Sequence, residues 1–363
     1  MALSIECRLI HDSKGHGPAM LLHGDWLIVM ISDGTHVGLG EATHNGDDRH
    51  CIEKITELFD RHVASMDLSL DGIRMLEEGP CATVPDFLTG TAVSGINQAL
   101  YDLLARRQGV PVWRLFVERP LNTRLPFYTT INRALTTRTV DDYRSIVSAV
   151  RDRGCRHIKC APFEKVTGDV DQLVASRDGI ATLKMLRREF PDMGIRVDFH
   201  KRFTCENFLV ILPELETLLL DWIEEPTEIG SEYREIRSRT SLPIAAGELF
   251  FGLDEFTTIM KNEWADIIMP DVKHVGGFGP LLGVCRHAEA HGTTVSPHNP
   301  SGPVSTIASL HAAALSEWVT SLEIPFLSDR SSMALPHLVE GSSYRIPEVP
   351  GWGIAVHDLP LSV

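Results

Sequence analysis

The sequence has no run of roughly 18 consecutive apolar residues, the minimum length for a membrane-spanning helix. It also lacks the basic start and uninterrupted apolar stretch of a signal peptide, because Glu6 lies within a short alternating segment near the N-terminus. Hydrophobic residues make up 43% and charged residues 23% of the 363 positions, which is ordinary for a globular protein. We therefore expect a soluble chain that begins with a β-strand and has no membrane partner.

The sequence also has no excess of basic residues, because its formal net charge is −15. No stripe of Lys and Arg interleaved with aromatic residues offsets this charge, so we expect no nucleic-acid partner. An acidic protein can still bind an anionic substrate where a metal ion sets the local field. The seven cysteines are an odd number and form no CxxC pair, which favours a reducing cytoplasm as the location.

The N-terminal third of the chain changes from a strand pattern to a helix pattern. Residues from Leu3 to about Thr43 contain short β-like runs separated by turn residues, as in an antiparallel meander. Residues from about 48 to 116 have helical periodicity. It is clearest in one helix that Gly109 should end and whose apolar face carries Ile96, Leu100, Leu103 and Leu104. This pattern predicts an α+β domain over residues 1–120.

After Pro120 the pattern becomes a regular alternation of strands and helices. Eight short β-branched runs alternate with amphipathic stretches: PFYTTI, RHIKCA, IRVDFH, DWIEEP, PIAAGE, DIIMPD, TTVSPH and VTSLEI. Eight such units predict a closed (β/α) barrel over residues 121–327. The segment 328–363 is too rich in Pro and Gly for another unit, and we expect it to pack back on the first domain.

An acidic residue lies at the C-terminal end of each of three successive predicted barrel strands. These residues are Asp198, Glu224 and Glu248. The carboxyl ends of barrel strands form the active-site face, where three anions would repel one another without a cation. Hard oxygen ligands favour Mg²⁺, with Mn²⁺ as a substitute. Each carboxylate taken alone could instead cap a helix or pair with a surface Lys. Glu225 should face the opposite side of its strand from Glu224, so the pair cannot both be ligands.

The next two strands end with Asp271 and His298, close enough for the carboxylate to orient the imidazole. Such a pair fixes the tautomer of the histidine and raises its basicity, which fits a general base that removes a carbon-bound proton. The alternative is a helix-capping Asp beside an unrelated loop His.

His200 follows Asp198 by two residues, so strand alternation places its imidazole near the metal, where it could act as a general acid. A structural histidine is the alternative reading, and Lys201 and Arg202 are nearby candidates for binding substrate charge.

Lys159 ends the second barrel strand, where its charge could stabilise an enediolate, unless it is a surface or ion-paired lysine. Glu323 closes the eighth strand and, if protonated, could hydrogen-bond a substrate carboxylate. Turns between the early strands supply His23, His44 and Asn45 as candidate substrate-binding residues.

The order of these motifs resembles the enolase superfamily, specifically its mandelate racemase branch, from WLIVMISDGTHVGLGEAT to PGWGIAVHD. The resemblance implies a capping α+β domain joined to a (β/α)₇β barrel. It assigns Mg²⁺ ligation to Asp198, Glu224 and Glu248 through VDFH, IEEP and GE, and the base to Asp271 and His298 through MPD and SPH. It also implies a homo-oligomer, since such families commonly form dimers or octamers.

Within that branch, DFHKR and SPHNPSGP are similar to motifs of acid-sugar dehydratases of the galactonate type. The branch usually carries KxK on the second strand, whereas this chain has Lys159, Cys160 and Ala161, which disfavours a two-base racemase. The resemblance therefore implies a hydro-lyase that removes the C2 proton of an acid sugar, an aldonate-like hydroxy acid, and eliminates its 3-hydroxyl to give a 2-keto-3-deoxy acid. A racemase, an epimerase or a lactone cycloisomerase would share the first step, and a non-catalytic metal-binding barrel is a further alternative.

Overall fold

The computed structural model describes residues 2–11, 25–44, 46–326, 335–355 and 359 of the chain. It contains a small antiparallel sheet covered by helices, followed by a larger domain in which strands and helices alternate. Within these residues, no helix combines the length and the apolar character that crossing a membrane requires.

The first domain begins with a three-stranded antiparallel meander, as predicted. Its strands are β1 (Ser4–His11), β2 (Asp25–Ser32) and β3 (Val37–Glu41), in that order across the sheet. Strand β3 packs very closely on a helix, because a Cβ atom on Gly40 would lie 1.9 Å from the carbonyl oxygen of Gly95. Glycine at this position therefore allows the sheet and the helix to touch through their backbones.

Three helices follow this sheet: α1 (Asp48–His62) and α3 (Phe87–Gln108), which pack on it, and α2 (Leu70–Glu78), which packs on α3. Helix α3 begins where the Asp86 side chain accepts a hydrogen bond from Thr89 N (2.7 Å). It ends at Gly109, which has a left-handed φ of 68°. The prediction that Gly109 ends this helix is confirmed. Residues 89–105 of α3 are buried on all sides, because the helix lies between the sheet and the second domain.

The second domain contains the eight predicted strands, and the pairs that they form with one another are parallel. They are β4 (Arg124–Thr130), β5 (His157–Cys160), β6 (Gly194–Asp198), β7 (Trp222–Glu224), β8 (Ile244–Ala246), β9 (Ile267–Ile268), β10 (Thr294–Val295) and β11 (Leu322–Pro325). Strands β4 to β10 pair in sequence order, and β11 pairs with β4. Val295 N donates to Trp318 O (2.9 Å) and Thr320 N to Val295 O (3.0 Å), which links β10 to the segment leading into β11. Hydrogen bonds thus run around the whole barrel, and the predicted (β/α)₇β fold is confirmed.

Helices connect these strands along the outside of the barrel. They are α4 (Val140–Asp152), α5 (Gln172–Ala175), α6 (Arg177–Glu189), α7 (Cys205–Glu216), α8 (Tyr233–Arg239), α9 (Asp254–Lys261), α10 (Phe278–His291) and α11 (Pro303–Ala313), and a 3-10 helix, Val112–Leu115, precedes β4. Inside the barrel, the Arg196 guanidinium lies 3.9 Å from the ring centroids of both Tyr128 and Trp222. This stacked cation fills the interior below the ends of the strands.

Two side chains of the first domain cap helices of the barrel. Glu41, the last residue of β3, accepts hydrogen bonds from Gly302 N (2.8 Å) and Ser305 N (3.0 Å) at the start of α11. Asn97 of α3 accepts one from Phe278 N (2.7 Å) at the start of α10. Backbone N–H groups in the first turn of a helix have no partner within the helix, so these contacts satisfy them. We call this pair, Glu41 and Asn97, the interdomain caps.

The C-terminal segment contacts both domains. Strands β12 (Val339–Glu340) and β13 (Ser343–Arg345) form a hairpin that follows a 3-10 helix, Pro336–Leu338, and β13 pairs antiparallel with β4. Further on, Trp352 N donates to Asp102 Oδ1 (2.6 Å) in α3, and Trp352 Nε1 donates to Leu39 O (2.8 Å) in β3. The end of the described chain thus packs against the first domain.

Candidate active site

Three carboxylates from consecutive strands converge at the C-terminal end of the barrel. Asp198 and Glu224 are the last residues of β6 and β7, and Glu248 lies just beyond β8. One oxygen atom from each carboxylate lies within 4.8 Å of the others. Asp198 and Glu224 are buried, and the Glu248 side chain is 12% exposed. The structure therefore brings the three predicted metal ligands together.

Lys159 of β5 lies at the centre of this cluster. Its Nζ atom is 3.1 Å from Asp198 Oδ2 and 3.7 Å from Glu248 Oε2, and it also contacts Glu224 Oε1. Glu323 Oε2 is 3.4 Å from the same nitrogen. Burial alone would lower the pKa of Lys159, but the attraction of these carboxylates outweighs it and raises the pKa well above its usual value. Lys159 is thus a buried, charged member of the site.

The composition of the cluster fits a hard divalent cation. Asp198, Glu224 and Glu248 offer only carboxylate oxygen atoms, which are the ligands that such a cation prefers. Glu248 Oε2 is buried and has no hydrogen-bond partner among the described residues, although His298 Nε2 lies 3.1 Å away. Trp222 Nε1 donates to Glu224 Oε2 (3.2 Å) and fixes its orientation. Asp198, Glu224 and Glu248 could therefore hold a metal ion.

His298 and Asp271 form the predicted dyad. His298 Nδ1 is 2.8 Å from Asp271 Oδ2, which leaves Nε2 facing Glu248 and, at 3.8 Å, Glu323. Both residues lie in loops just beyond β9 and β10 rather than within the strands. Burial would lower the pKa of His298, but Glu248, Glu323 and the bond to Asp271 raise it. The geometry suits a base that acts through Nε2.

Lys273, which lies in the same loop as Asp271, was not predicted from the sequence. Asp271 Oδ1 accepts from Lys273 N (2.8 Å), and Oδ2 contacts Lys273 Nζ (2.5 Å) as well as His298. Burial would raise the pKa of Asp271, but Lys273 and its histidine neighbours hold that pKa below its usual range. Lys273 follows Asp271 by two residues, which is the same spacing that led us to consider His200 beside Asp198.

His200 lies on the opposite side of the cluster from His298. Strand β6 ends at Asp198, and His200 has a left-handed φ of 49°, so the expected strand alternation does not apply to it. A tight turn places it instead, with His200 N donating to Asp198 Oδ1 (2.9 Å) and Nε2 lying 3.0 Å from Asp198 Oδ2. Burial would lower the pKa of His200, whereas its contacts with Asp198 and Glu164 raise it well above the usual value.

The remaining predicted residues lie at different distances from this centre. Glu323 is buried in β11, where Oε2 accepts from Asn299 N (3.4 Å). Arg202 is bound to Glu164 Oε2 (2.6 Å) and to Val166 O (3.2 Å). The His44 ring lies 5.4 Å from the Phe87 ring and its buried Nδ1 has no described hydrogen-bond partner. The predicted residues His23 and Asn45 lie outside the described residues.

Two family models match the chain, and together they cover both domains. The model described as "Mandelate racemase / muconate lactonizing enzyme, N-terminal domain" matches residues 23–116. The model described as "Enolase C-terminal domain-like" matches residues 142–359. The capped barrel with carboxylates at its strand ends is therefore an enolase-type fold. Within that class, the chain belongs to the mandelate racemase and muconate lactonizing enzyme family.

Curated relatives and solved structures agree with this assignment. The chain is 28% identical over 281 residues to a D-galactonate dehydratase of Verminephrobacter eiseniae, covering 74% of this chain and 72% of the relative. It is 27% identical over 353 residues to one of Ralstonia pickettii, covering 92% and 89%. A mandelate racemase/muconate lactonizing enzyme-like structure from Roseovarius sp. has a TM-score of 0.82 at 22% identity, covering 99% and 94% of the two chains.

The 3,6-anhydro-D-galactonate cycloisomerase of Zobellia galactanivorans has a TM-score of 0.81 at 18% identity, covering 99% of this chain and 98% of that one. A likeness at this identity shows the shared fold.

Proposed function

We propose that this chain is a Mg²⁺-dependent hydro-lyase that dehydrates an acid sugar to a 2-keto-3-deoxy acid. The observation that carries the proposal is the placement of two imidazoles across the carboxylate cluster. His200 follows β6, the third barrel strand, and His298 follows β10, the seventh, so they approach from opposite sides of an eight-stranded ring. This arrangement provides one base and one acid.

The metal and the residues around it would bind the acid end of the substrate. Asp198, Glu224 and Glu248 would hold Mg²⁺, which supplies Lewis-acid stabilisation of negative charge on the substrate's carboxylate. The Lys159 ammonium lies beside this position and would orient the same carboxylate, and Glu323 in its protonated form would donate a hydrogen bond to it. Charges that are fixed before the reaction begins stabilise an enediolate as it forms.

The two histidines would perform the proton transfers. His298 receives support at Nδ1 from Asp271, so its Nε2 would remove the proton on C2. His200 would donate a proton to the departing 3-hydroxyl, and the resulting enol would tautomerise to the keto acid. Ala161 stands where the KxK pattern implied by the resemblance would place a second lysine, so the described site has no lysine at that position to protonate the opposite face of C2. This favours elimination over racemisation.

Two D-galactonate dehydratases among the relatives support an acid sugar as the class of substrate. The test is to incubate the protein with a library of acid sugars and Mg²⁺ in deuterated water. We expect a 2-keto-3-deoxy acid from at least one of them. Deuterium at C2 without keto acid would instead indicate an isomerase and would overturn the dehydratase proposal.

Metal removal provides a second prediction. Dialysis against EDTA should abolish keto acid formation, because the substrate's negative charge would lose its main stabilising partner. Addition of Mg²⁺ or Mn²⁺ should restore the activity, and activity that persists in EDTA would contradict the assigned role of the three carboxylates.

A further inference from the structure

Glu164, in the loop after β5, contacts His200 and Arg202 through different oxygen atoms. Its Oε1 atom is 3.2 Å from His200 Nδ1, and its Oε2 atom accepts from Arg202 Nη2 (2.6 Å). Arg138 Nη1 lies 3.7 Å from Oε1. The Glu164 side chain is 18% exposed, so these contacts are largely shielded from water. One carboxylate thus links the candidate acid to two arginines.

These contacts determine which nitrogen of His200 faces the centre of the site. With Nδ1 next to Glu164, the other nitrogen, Nε2, points towards Asp198 Oδ2 at 3.0 Å. Rotation of the ring by half a turn about its Cβ–Cγ bond would break the contact with Glu164. A carboxylate at one ring nitrogen commonly fixes the orientation of a functional histidine in this way.

His200 needs such support because no regular element holds its side chain. His200 and Lys201 both have positive φ values, 49° and 57°, so the chain leaves β6 in a tight turn. The backbone of the turn is anchored, since Lys201 N donates to Glu225 O (2.7 Å). The His200 side chain is 34% exposed, and Glu164 is its partner on the side away from Asp198. Arg202 in turn holds Glu164 in place from the same turn.

We propose that Glu164 is a positioning residue that holds His200 ready to deliver a proton to the leaving hydroxyl. This inference rests on the proposed dehydratase function. Glu164 lies on the acid side of the site and contacts neither His298 nor Asp271 in the described structure. Loss of Glu164 should therefore impair elimination and leave removal of the C2 proton intact.

The test uses the full-length protein with Mg²⁺ in deuterated water and the acid sugar that the wild type dehydrates. Keto acid formation and deuterium at C2 of the recovered substrate are measured for Glu164→Ala, Glu164→Gln and Glu189→Gln. Glu189 is a matched control, since its Oε2 also binds an arginine, Arg144 Nε, at 2.6 Å, but on the outside of the barrel.

In Glu164→Ala we expect keto acid formation to fall about 10- to 100-fold, as is typical when the support of a functional histidine is lost. Deuterium at C2 should accumulate at least as fast as in the wild type. Glu164→Gln should lose less activity, because its amide oxygen can still accept from Nδ1. Glu189→Gln should match the wild type.

Equal losses of exchange and elimination, or no loss of either, would overturn the inference. If Glu164→Ala does not fold, Glu164→Gln is combined with His200→Asn. The double variant should then be no slower than His200→Asn alone, and a further loss would contradict action through His200. Failure of the wild type to form keto acid would instead reject the dehydratase function itself.

Discussion

The proposed base side of the site, with His298 and Asp271, and its proposed acid side, with His200, are built differently. On the base side, the His298 side chain is 11% exposed, Asp271 is fully buried, and the loops carrying them run into helices that the interdomain caps hold. On the acid side, His200 is 34% exposed and is held by Glu164 from within the barrel. The first domain therefore fixes the base, whereas the barrel alone positions the acid.

This difference suits the two proton transfers. A base that removes a weakly acidic carbon-bound proton gains from a rigid, shielded position, because misplacement by a small distance is costly in rate. An acid near solvent can regain its proton from water after each turnover. The comparison can be tested with substitutions on each side of the site. Deuterium exchange at C2 and keto acid formation are then measured separately.

The largest effect is expected from the two histidines. His298→Asn should lower both C2 exchange and keto acid formation by about 10³-fold, since both need the base. His200→Asn should lower keto acid formation to a similar degree but leave C2 exchange in place. Both variants are assayed in deuterated water, with circular dichroism to confirm folding. Undiminished exchange in His298→Asn would mean that another residue is the base.

A smaller effect is expected at the interdomain cap Glu41. In Glu41→Gln, one charge-assisted acceptor facing Gly302 N or Ser305 N becomes a donor, which should destabilise the protein by about 2 kcal/mol. Urea unfolding measures this loss. C2 exchange should also slow, because the His298 loop leads into α11.

Glu57→Gln is the control for that measurement, because Glu57 forms exposed ion pairs with Lys54 and Arg61. Its free energy of unfolding should stay close to that of the wild type, because exposed ion pairs contribute little to stability. Equal stability of the wild type and Glu41→Gln would show that the hydrogen bonds from α11 to Glu41 do not stabilise this side of the site.

The smallest effect concerns His311 of α11, which packs on the same side. Its Nδ1 atom accepts from Trp113 N (3.2 Å), and its Nε2 atom lies 3.3 Å from Trp352 O. Burial lowers the pKa of His311 from 6.5 to about 3. Below pH 6.5 the unfolded chain therefore binds a proton that the folded chain excludes, so stability falls as the pH falls towards 3.

His311→Asn should remove this contribution. Between pH 6.5 and pH 5 the variant should lose about 2 kcal/mol less stability than the wild type, as measured by urea unfolding at each pH. An equal loss of stability between pH 6.5 and pH 5 in the wild type and the variant would show that His311 is protonated in the folded state.

The sequence was sufficient to predict the fold and the convergence of three carboxylates because both follow from local patterns. Each barrel strand is a short β-branched run, and carboxylates at the ends of parallel strands must meet at one face. Gly109 marked the end of α3 because a left-handed residue there favours glycine.

What the sequence did not predict depends on contacts between distant segments. Glu41 and Gly302 are 261 residues apart, and no local pattern connects them. Glu164 and Arg202 are 38 residues apart, so Arg202 looked available for substrate although Glu164 binds it. The sequence analysis placed His200 beside Asp198 by extending strand β6 through His200. The strand in fact ends at Asp198, and a turn brings His200 to the same place.

The interdomain caps also bear on how such proteins can be recombined. The chain passes from the 3-10 helix that ends at Leu115 to β4, which begins at Arg124, but the bonds from Glu41 to α11 and from Asn97 to α10 join the two domains at two other places. A chimera that joins this barrel to the first domain of a relative would keep the peptide linkage and lose these bonds unless equivalent acceptors came with it. Such a hybrid should still bind metal through its own three carboxylates. The loop that carries His298, the proposed base, should be less well ordered. Transplanting the first domain therefore also transplants the side chains that hold the helices behind Asp271 and His298.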